Sequence, residues 1–576
     1  MTSELISVYR RQFRAYVFAP SGHLSERTVR LAAAAIVAGL AYYHWQYEGW
    51  RETIIFAGAV TTALIALLTL LSQRLLFSLG VVAAFVAIVV IASDVKRHFI
   101  EMVLHAYDVV FYLTSFATLQ FLWVDHRVPL IALAAALIAT AALGITLFRI
   151  DGTRVSRVAS LLVLVAASGV AVWASHAKGE RRNTLFYWDH LYLSSFYASW
   201  SETLETLRKG QLIDALRRQT EPPFATPQSC APGPKAPHII LIHQESVVPP
   251  EFFPKLKYDT GLDPLFRSFD GRLHRLRVET YGGASWLTEF SVLAGISTYS
   301  FGGMRTFVQS LMQGKVHNTL AQTLARCGYR NAVFYPVPKD FVSNGRFYAA
   351  AGMPEIFDYK AQGASRFNER DSFYYGNVLK HLAGHVAASR APTFTFIITS
   401  ATHLPYTNTY EPSVYVAGGG PGTDAEMHEY LRRLGMAKLD YEAFKAALAE
   451  RFPTERFLIV AYGDHQPVAT RTLLGFDRSL ASEDMHMAPD HPGFLTYYSV
   501  EGIRYTPPAL PDVTVLDVPY LSTALLAAAG LPLPPDYAER LRLLGVCDGR
   551  YFTCAARRQI LGFHRRLIDS GLIEAR

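Results

Sequence analysis

Five apolar runs of about twenty residues crowd into the N-terminal third of the chain, at 29–47, 53–73, 76–95, 128–148 and 156–176. A helix of that length crosses the ~30 Å hydrocarbon core of a bilayer. The runs therefore predict a multi-span α-helical membrane domain over 28–177, after a basic tail at 1–27. The rest of the 576 residues has the mixed composition of a water-exposed domain, so the 51% apolar content is concentrated rather than spread. Residues 99–124 carry Glu101, His105 and Asp108 on an otherwise apolar, aromatic segment. An ionisable group inside a span is expensive, which favours an amphipathic helix in the membrane interface over a sixth span.

The arginines set a direction. Arg10, Arg11, Arg14 and Arg27, then Arg74, then Arg149, Arg154 and Arg157 fall on one side of a five-span arrangement. By the positive-inside rule that side is the cytoplasm, and everything after residue 177 lies outside; a sixth span would reverse this. The first apolar run is followed by bulky residues, so no cleavable signal peptide is expected. The net charge of +7 reads as topology signal and membrane-surface contact, not as a nucleic-acid footprint. Four cysteines are too few for a disulfide scaffold. Cys547 and Cys554 either pair, in an oxidising compartment, or remain two thiols.

Residues 178–235 form a connector, aromatic and amphipathic at first and Pro-rich at its end. From 236 to 576, short apolar runs at 238–243, 332–335, 393–399 and 457–461 alternate with helical patterns near 286–296, 318–327 and 437–451. Alternation of this kind predicts an α/β domain with a mainly parallel sheet flanked by helices.

Ligands bind beyond the carboxyl ends of strands in such sheets. Two strand ends carry metal-ligand residues: His238-Ile-Ile-Leu-Ile-His-Gln-Glu245-Ser246 and Phe457-Leu-Ile-Val-Ala-Tyr-Gly-Asp464-His465. Carboxylate and imidazole donors suit Zn or Mn, with Mg as a third choice. Taken singly, Glu245 is a surface acid and Asp464-His465 a solvated turn; together they make a metal site. Between them, Tyr281-Gly-Gly-Ala-Ser285-Trp-Leu-Thr288-Glu-Phe290 sets a hydroxyl at the start of a helical run. A serine hydroxyl is weak at neutral pH and needs a metal or a base to react. Ser285 is the candidate nucleophile, with Thr288 and Thr280 as alternatives and a plain helix cap as its bland role. His403, in Ser400-Ala-Thr-His403-Leu-Pro-Tyr406, is placed to protonate a leaving alkoxide. Arg346 is a candidate phosphate clamp, while His486 and His491 read as structural.

These motifs together resemble the lipoteichoic acid synthase and phosphoglycerol transferase branch of the alkaline phosphatase (sulfatase-like) superfamily, across nearly the whole chain. The resemblance implies that Glu245, Ser285, Asp464 and His465 hold one divalent metal and that His403 contacts substrate. Asn344 falls where that family carries its substrate arginine, with Arg346 two residues on, and Thr288 lies one turn past the nucleophile; all three are substrate-binding candidates. Ser285 stands where the family usually has threonine. A formylglycine sulfatase needs x-Pro-x-Arg after its nucleophile, and Trp-Leu-Thr-Glu follows here. The implied activity is transfer of a phospholipid head group, phosphoglycerol favoured, through phospho-Ser285 to an external glycan or lipid-linked acceptor. Phosphoethanolamine transfer and phosphodiester hydrolysis are the alternatives. The implied setting is the bacterial plasma membrane, with the catalytic domain outside.

Overall fold

The computed structural model describes residues 24–49, 51–100, 102–112, 119–120, 122–123, 127–177, 191–209, 212–218, 221–230, 233, 236–339, 341, 344–366, 368–416, 420–477 and 487–575. Arg10, Arg11, Arg14, His486 and the start of the connector lie outside them. Two compact units result, Met1–Glu205 and Thr206–Arg576.

The first unit is helical: α1 (Glu26–Tyr47), α2 (Arg51–Ser72), α3 (Leu75–Ile100), α4 (Arg127–Ile150), α5 (Arg157–Ala177) and α6 (Tyr192–Lys209). Among the described residues, four helices, within α2 to α5, are long and apolar enough to cross a membrane. The fifth expected span is a helix, α1, with 22 residues. At about 1.5 Å per residue it too is long enough, but Arg30, His44 and its aromatic end make it less apolar than the others. Small residues let α2 and α5 approach closely, with Ala57, Ala171 and Ala174 buried in one cluster. Glu48, just past α1, accepts the N–H groups of Leu193 and Ser194 at 3.0 and 2.9 Å and the Ser194 hydroxyl at 2.6 Å. It caps the start of α6, where a carboxylate offsets the helix dipole.

Residues 99–124 do not form one continuous helix. The chain leaves α3 and is non-helical over 102–105 before a short π-helical turn, Asp108–Tyr112. Lys96 explains the fold-back: its ammonium bonds Asp108 Oδ2 at 2.7 Å and the Val103 carbonyl at 2.9 Å. Of the ionisable groups that made this segment equivocal, Asp108 is thus paired with Lys96, as a buried charge must be. Asp108 also accepts the His105 backbone N–H at 2.7 Å, while Glu101 lies outside the described residues.

The second unit is built on an eight-stranded sheet of order β4-β3-β5-β1-β6-β7-β2-β8. Its strands are β1 (His238–Gln244), β2 (His274–Arg277), β3 (Arg330–Phe334), β4 (Glu355–Phe357), β5 (Thr393–Ile398), β6 (Phe457–Gly463), β7 (Leu495–Ile503) and β8 (Leu516–Asp517). All neighbours run parallel except β7, which is antiparallel to both β6 and β2. Strands β1 and β6 are central and buried on both faces, as parallel strands between helical layers are. The helices that carry or brace the site are α7 (Ser285–Ala294), α8 (Leu320–Arg326), α9 (Asn344–Ala350), α10 (Asp371–Ala388) and α11 (Ala425–Arg451). The last starts twelve residues before the expected 437, with Asp424 accepting the Met427 N–H as its cap.

The connector does not end at the Pro-rich stretch. From residue 206 it belongs to the second unit. Backbone bonds tie Leu212 to Ala575 and Asp214 to Ser300, and a disulfide joins Cys230 to Cys327. Cys547 and Cys554 form a second disulfide, so no free cysteine is left.

Candidate metal and nucleophile site

Register brings the two strand ends together. Parallel pairing sets His243 beside Tyr462 and Gln244 beside Gly463, so Glu245 and Asp464 leave the sheet side by side. The approach is close: a Cβ on Gly463 would meet the Val247 carbonyl oxygen at 1.9 Å. Only glycine fits before Asp464. Asp464 Oδ1 accepts the backbone N–H groups of Ser246 and His465, both at 2.7 Å, which fixes its carboxylate plane.

Ser285 is the first residue of α7. Ala284 before it is left-handed, at φ 62°, and offers no capping side chain. The hydroxyl is therefore not used as a helix cap and turns into the crevice. Its Oγ lies 2.9 Å from Glu245 Oε2 and 3.3 Å from His465 Nε2. His465 Nε2 in turn stands 3.4 Å from Glu245 Oε1 and 3.3 Å from Asp464 Oδ2. The four residues foreseen as one cluster do converge.

Burial raises the Glu245 carboxyl, but the imidazoles of His465, His403 and His243 overcome this and hold it below the usual carboxylate range. Burial lowers His465, yet the Asp464 and Glu245 carboxylates push it up to about 9. The pocket is thus strongly anionic and draws positive charge to its centre. A divalent cation fits the same demand. Asp464 Oδ2 is buried and makes no hydrogen bond beyond its close contacts with the two imidazoles. The donor set of two carboxylates, a hydroxyl and an imidazole matches zinc or manganese.

The other expected residues divide. His403 sits on the loop after β5; its Nδ1 bonds the Leu404 carbonyl at 2.7 Å. Thr402 Oγ1 bonds the Glu245 carbonyl, tying that loop to the metal-binding strand end. Thr288 is fully buried and gives its hydroxyl to the Asp464 carbonyl at 2.8 Å, so it braces the Asp464 turn instead of facing substrate. Thr280 likewise closes the glycine turn, bonding the Gly283 carbonyl at 2.6 Å. Asn344 is buried with its amide on the Tyr335 hydroxyl. Arg346 is exposed on α9. Among the described residues, no hydrogen bond or ion pair joins Arg346 to the cluster.

Two buried groups escaped the sequence reading. Glu289, one turn beyond Ser285, accepts from Tyr348 at 2.6 Å and Gln309 at 3.1 Å. Burial raises its carboxyl, opposed by His243 and by these two bonds. His243 Nε2 lies 3.1 Å from Asp464 Oδ2, and it forms with Glu245 and Asp464 a group able to hold a metal ion. His243 stands inside the apolar run of β1, and its partner Tyr462 comes from a strand 219 residues away, so no local signal marked it.

Residues 278–489 match the family model described as Sulfatase. The match lies within the second unit, and the resemblance seen in the motifs fits it. A curated relative from Haemophilus influenzae, described as an uncharacterized protein, is 22% identical over 328 residues, 54% of this chain and 55% of its own length. The chain thus spans about half of that relative. Among solved structures, the chain is similar to the phosphoglycerol transferase GacH of Streptococcus pyogenes in complex with sn-glycerol-1-phosphate. That match has 16% identity, 66% of this chain, 93% of the other and a TM-score of 0.45. It is also similar to the lipooligosaccharide phosphoethanolamine transferase EptA of Neisseria meningitidis, at 11% identity, 86% and 95% coverage and a TM-score of 0.44. A third is the lipoteichoic acid synthase LtaP of Listeria monocytogenes, at 16% identity, 52% and 74% coverage and a TM-score of 0.39.

Proposed function

We propose that the protein is a membrane-anchored, metal-dependent transferase that moves a phospholipid head group, phosphoglycerol by preference, to an external glycan or lipid-linked acceptor. One observation carries the reading: the Ser285 hydroxyl, at the start of α7, lies within hydrogen-bond reach of both Glu245 and His465. Glu245, Ser285, Asp464 and His465 would hold a divalent cation, which would supply Lewis acidity favouring the ionised hydroxyl and offsetting phosphoryl charge.

The chain's own groups then divide the work. Glu245 Oε2 receives the Ser285 proton, and Oγ attacks phosphorus. A bond forms between Oγ and phosphorus as the bond to the diacylglycerol oxygen breaks. His403 delivers a proton to that oxygen. The first-turn N–H groups of α7 steady the phosphoryl oxygens. In the second half, an acceptor hydroxyl attacks the same phosphorus and gives its proton to His403; the bond from phosphorus to Ser285 Oγ breaks, and Oγ takes its proton back from Glu245. Membrane anchoring keeps the site beside a donor that never leaves the bilayer, raising its effective concentration.

Two features support an external catalytic unit: the arginine distribution and the disulfides Cys230–Cys327 and Cys547–Cys554, which persist in oxidising compartments. The phosphoglycerol preference rests on the motif resemblance. The test is turnover of the full chain in mixed-phospholipid vesicles with and without a glycan acceptor. The account expects diacylglycerol release and head-group transfer, both absent in Ser285→Ala. Release of soluble glycerophosphate regardless of acceptor would mark a hydrolase instead, and consumption of phosphatidylethanolamine would change the head group.

A further inference from the structure

We propose that His243 is a further nitrogen ligand of the metal centre, giving it two imidazoles and a preference for zinc over manganese and magnesium. The inference rests on the metal site described above and extends it by one residue.

The distances carry the argument. Donors that each stand about 2.1 Å from one ion lie about 3.0–3.4 Å apart, from octahedral to tetrahedral angles. The cluster shows this spacing. His465 Nε2 is 3.3 Å from Asp464 Oδ2, 3.4 Å from Glu245 Oε1 and 3.3 Å from Ser285 Oγ. His243 Nε2 is 3.1 Å from Asp464 Oδ2, the same kind of edge.

A plain hydrogen bond would explain one short contact, but two imidazole nitrogens crowd the same carboxylate oxygen. His243 Nε2 stands 3.1 Å from Asp464 Oδ2, which also lies 3.3 Å from His465 Nε2, and beyond these ion-pair contacts both buried atoms have no hydrogen-bond partner. Two imidazole nitrogens about one carboxylate oxygen, with Glu245 beside them and all four residues buried, are arranged as ligands of a common ion. The other ring nitrogen is already fixed: Nδ1 stands 2.9 Å from the Tyr462 hydroxyl. In the tautomer that donates Nδ1–H to Tyr462 Oη, Nε2 keeps its lone pair and the ring keeps its orientation, the usual arrangement behind a ligating imidazole. Tyr462 lies opposite His243 in the β1/β6 register, so the sheet itself sets this bond. A second imidazole makes the site softer, which selects zinc over oxygen-preferring cations.

Zinc-edge X-ray absorption of the full chain in detergent, loaded with one equivalent of zinc, tests this without any substrate. Two imidazoles per zinc are expected in the wild type and one in His243→Gln. Competition titration should show zinc affinity falling about 100-fold or more in the variant, with manganese affinity falling less. One imidazole in the wild type overturns the proposal and leaves the metal centre standing. Affinity lost at an unchanged imidazole count also overturns it, making His243 a positioning residue. A wild type that binds no metal sinks the centre itself. If His243→Gln fails to fold, the wild-type spectrum alone decides.

Discussion

The Ser285 hydroxyl stands 2.9 Å from Glu245 Oε2, across 40 positions of chain. One residue opens a helix; the other follows a central strand. The contact makes the nucleophile and the first metal ligand a single unit, and Ser285→Ala should abolish transfer while leaving the fold intact. Loss of a nucleophile commonly costs several orders of magnitude in kcat. Ser285→Thr should stay active, since it keeps the hydroxyl. Thr288→Ala breaks a different bond, that to the Asp464 carbonyl, and should cost about 1–3 kcal/mol of stability with much of the activity kept. Measuring kcat and denaturant midpoints on the three variants separates chemistry from bracing. An inactive but stable Thr288→Ala would reverse the two roles.

Gly463→Ala should be among the most damaging single changes in the second unit. The new methyl lands 1.9 Å from the Val247 carbonyl oxygen, and backbone on both sides must move. Overpacking of this kind costs about 1–3 kcal/mol or more. Because Asp464 is the next residue, zinc affinity should fall along with the melting temperature. A variant with normal metal affinity would show that the strand ends are less tightly coupled than their register implies.

Those strand ends were legible because their residue types announce chemistry: Glu245 and Asp464-His465 each end an apolar run, and Ser285 follows a glycine turn. What stayed hidden was what neighbours in sequence do not reveal. His243 looked like part of a hydrophobic strand because its partner, Tyr462, comes from a strand 219 residues away. Between β6 and the antiparallel β7 the described residues form no helix beyond the short 3-10 turns Val468–Thr470 and Pro492–Phe494, so alternation of strands and helices gave no hint of it. Cys230 and Cys327 are separated by 97 residues, too far for spacing to pair them. Thr280 and Thr288 stood as alternatives to Ser285 until their hydroxyls were found bonded to backbone carbonyls.

The two disulfides should differ in worth. In the chain-entropy view, the gain grows with the loop closed. Cys230–Cys327 spans 97 residues and Cys547–Cys554 spans 7. Double Cys→Ser replacement should cost about 4–5 kcal/mol at the first pair and about 2 kcal/mol at the second. Thiol titration of the denatured, unreduced chain should find no free thiol. Four free thiols in protein taken from cells would argue against an external catalytic unit.

Stability should also respond to pH through Asp371, the first residue of α10. Burial lifts its carboxyl from 3.8 to about 7, with Asp440 adding to the rise. The N–H groups of Ala401 and Ser400, at 3.0 and 3.2 Å, oppose it. The folded state therefore holds this proton more tightly than the unfolded chain. The resulting stabilisation is complete below about pH 4 and is lost as pH rises toward 7. Asp371→Asn keeps an acceptor for Ser400 and Ala401 without the charge, so unfolding free energy should vary less over that window. An unchanged slope would mean that the carboxyl titrates normally.

The central claim is a covalent Ser285 intermediate, and the most direct measurement is peptide mass spectrometry after rapid acid quenching of the full chain turning over mixed phospholipids. The account predicts a glycerophosphoryl adduct on the peptide containing Ser285, localised to that residue by fragmentation and absent from Ser285→Ala. An unmodified Ser285 under conditions where diacylglycerol is being released, or an adduct on Thr280 or Thr288, would contradict it.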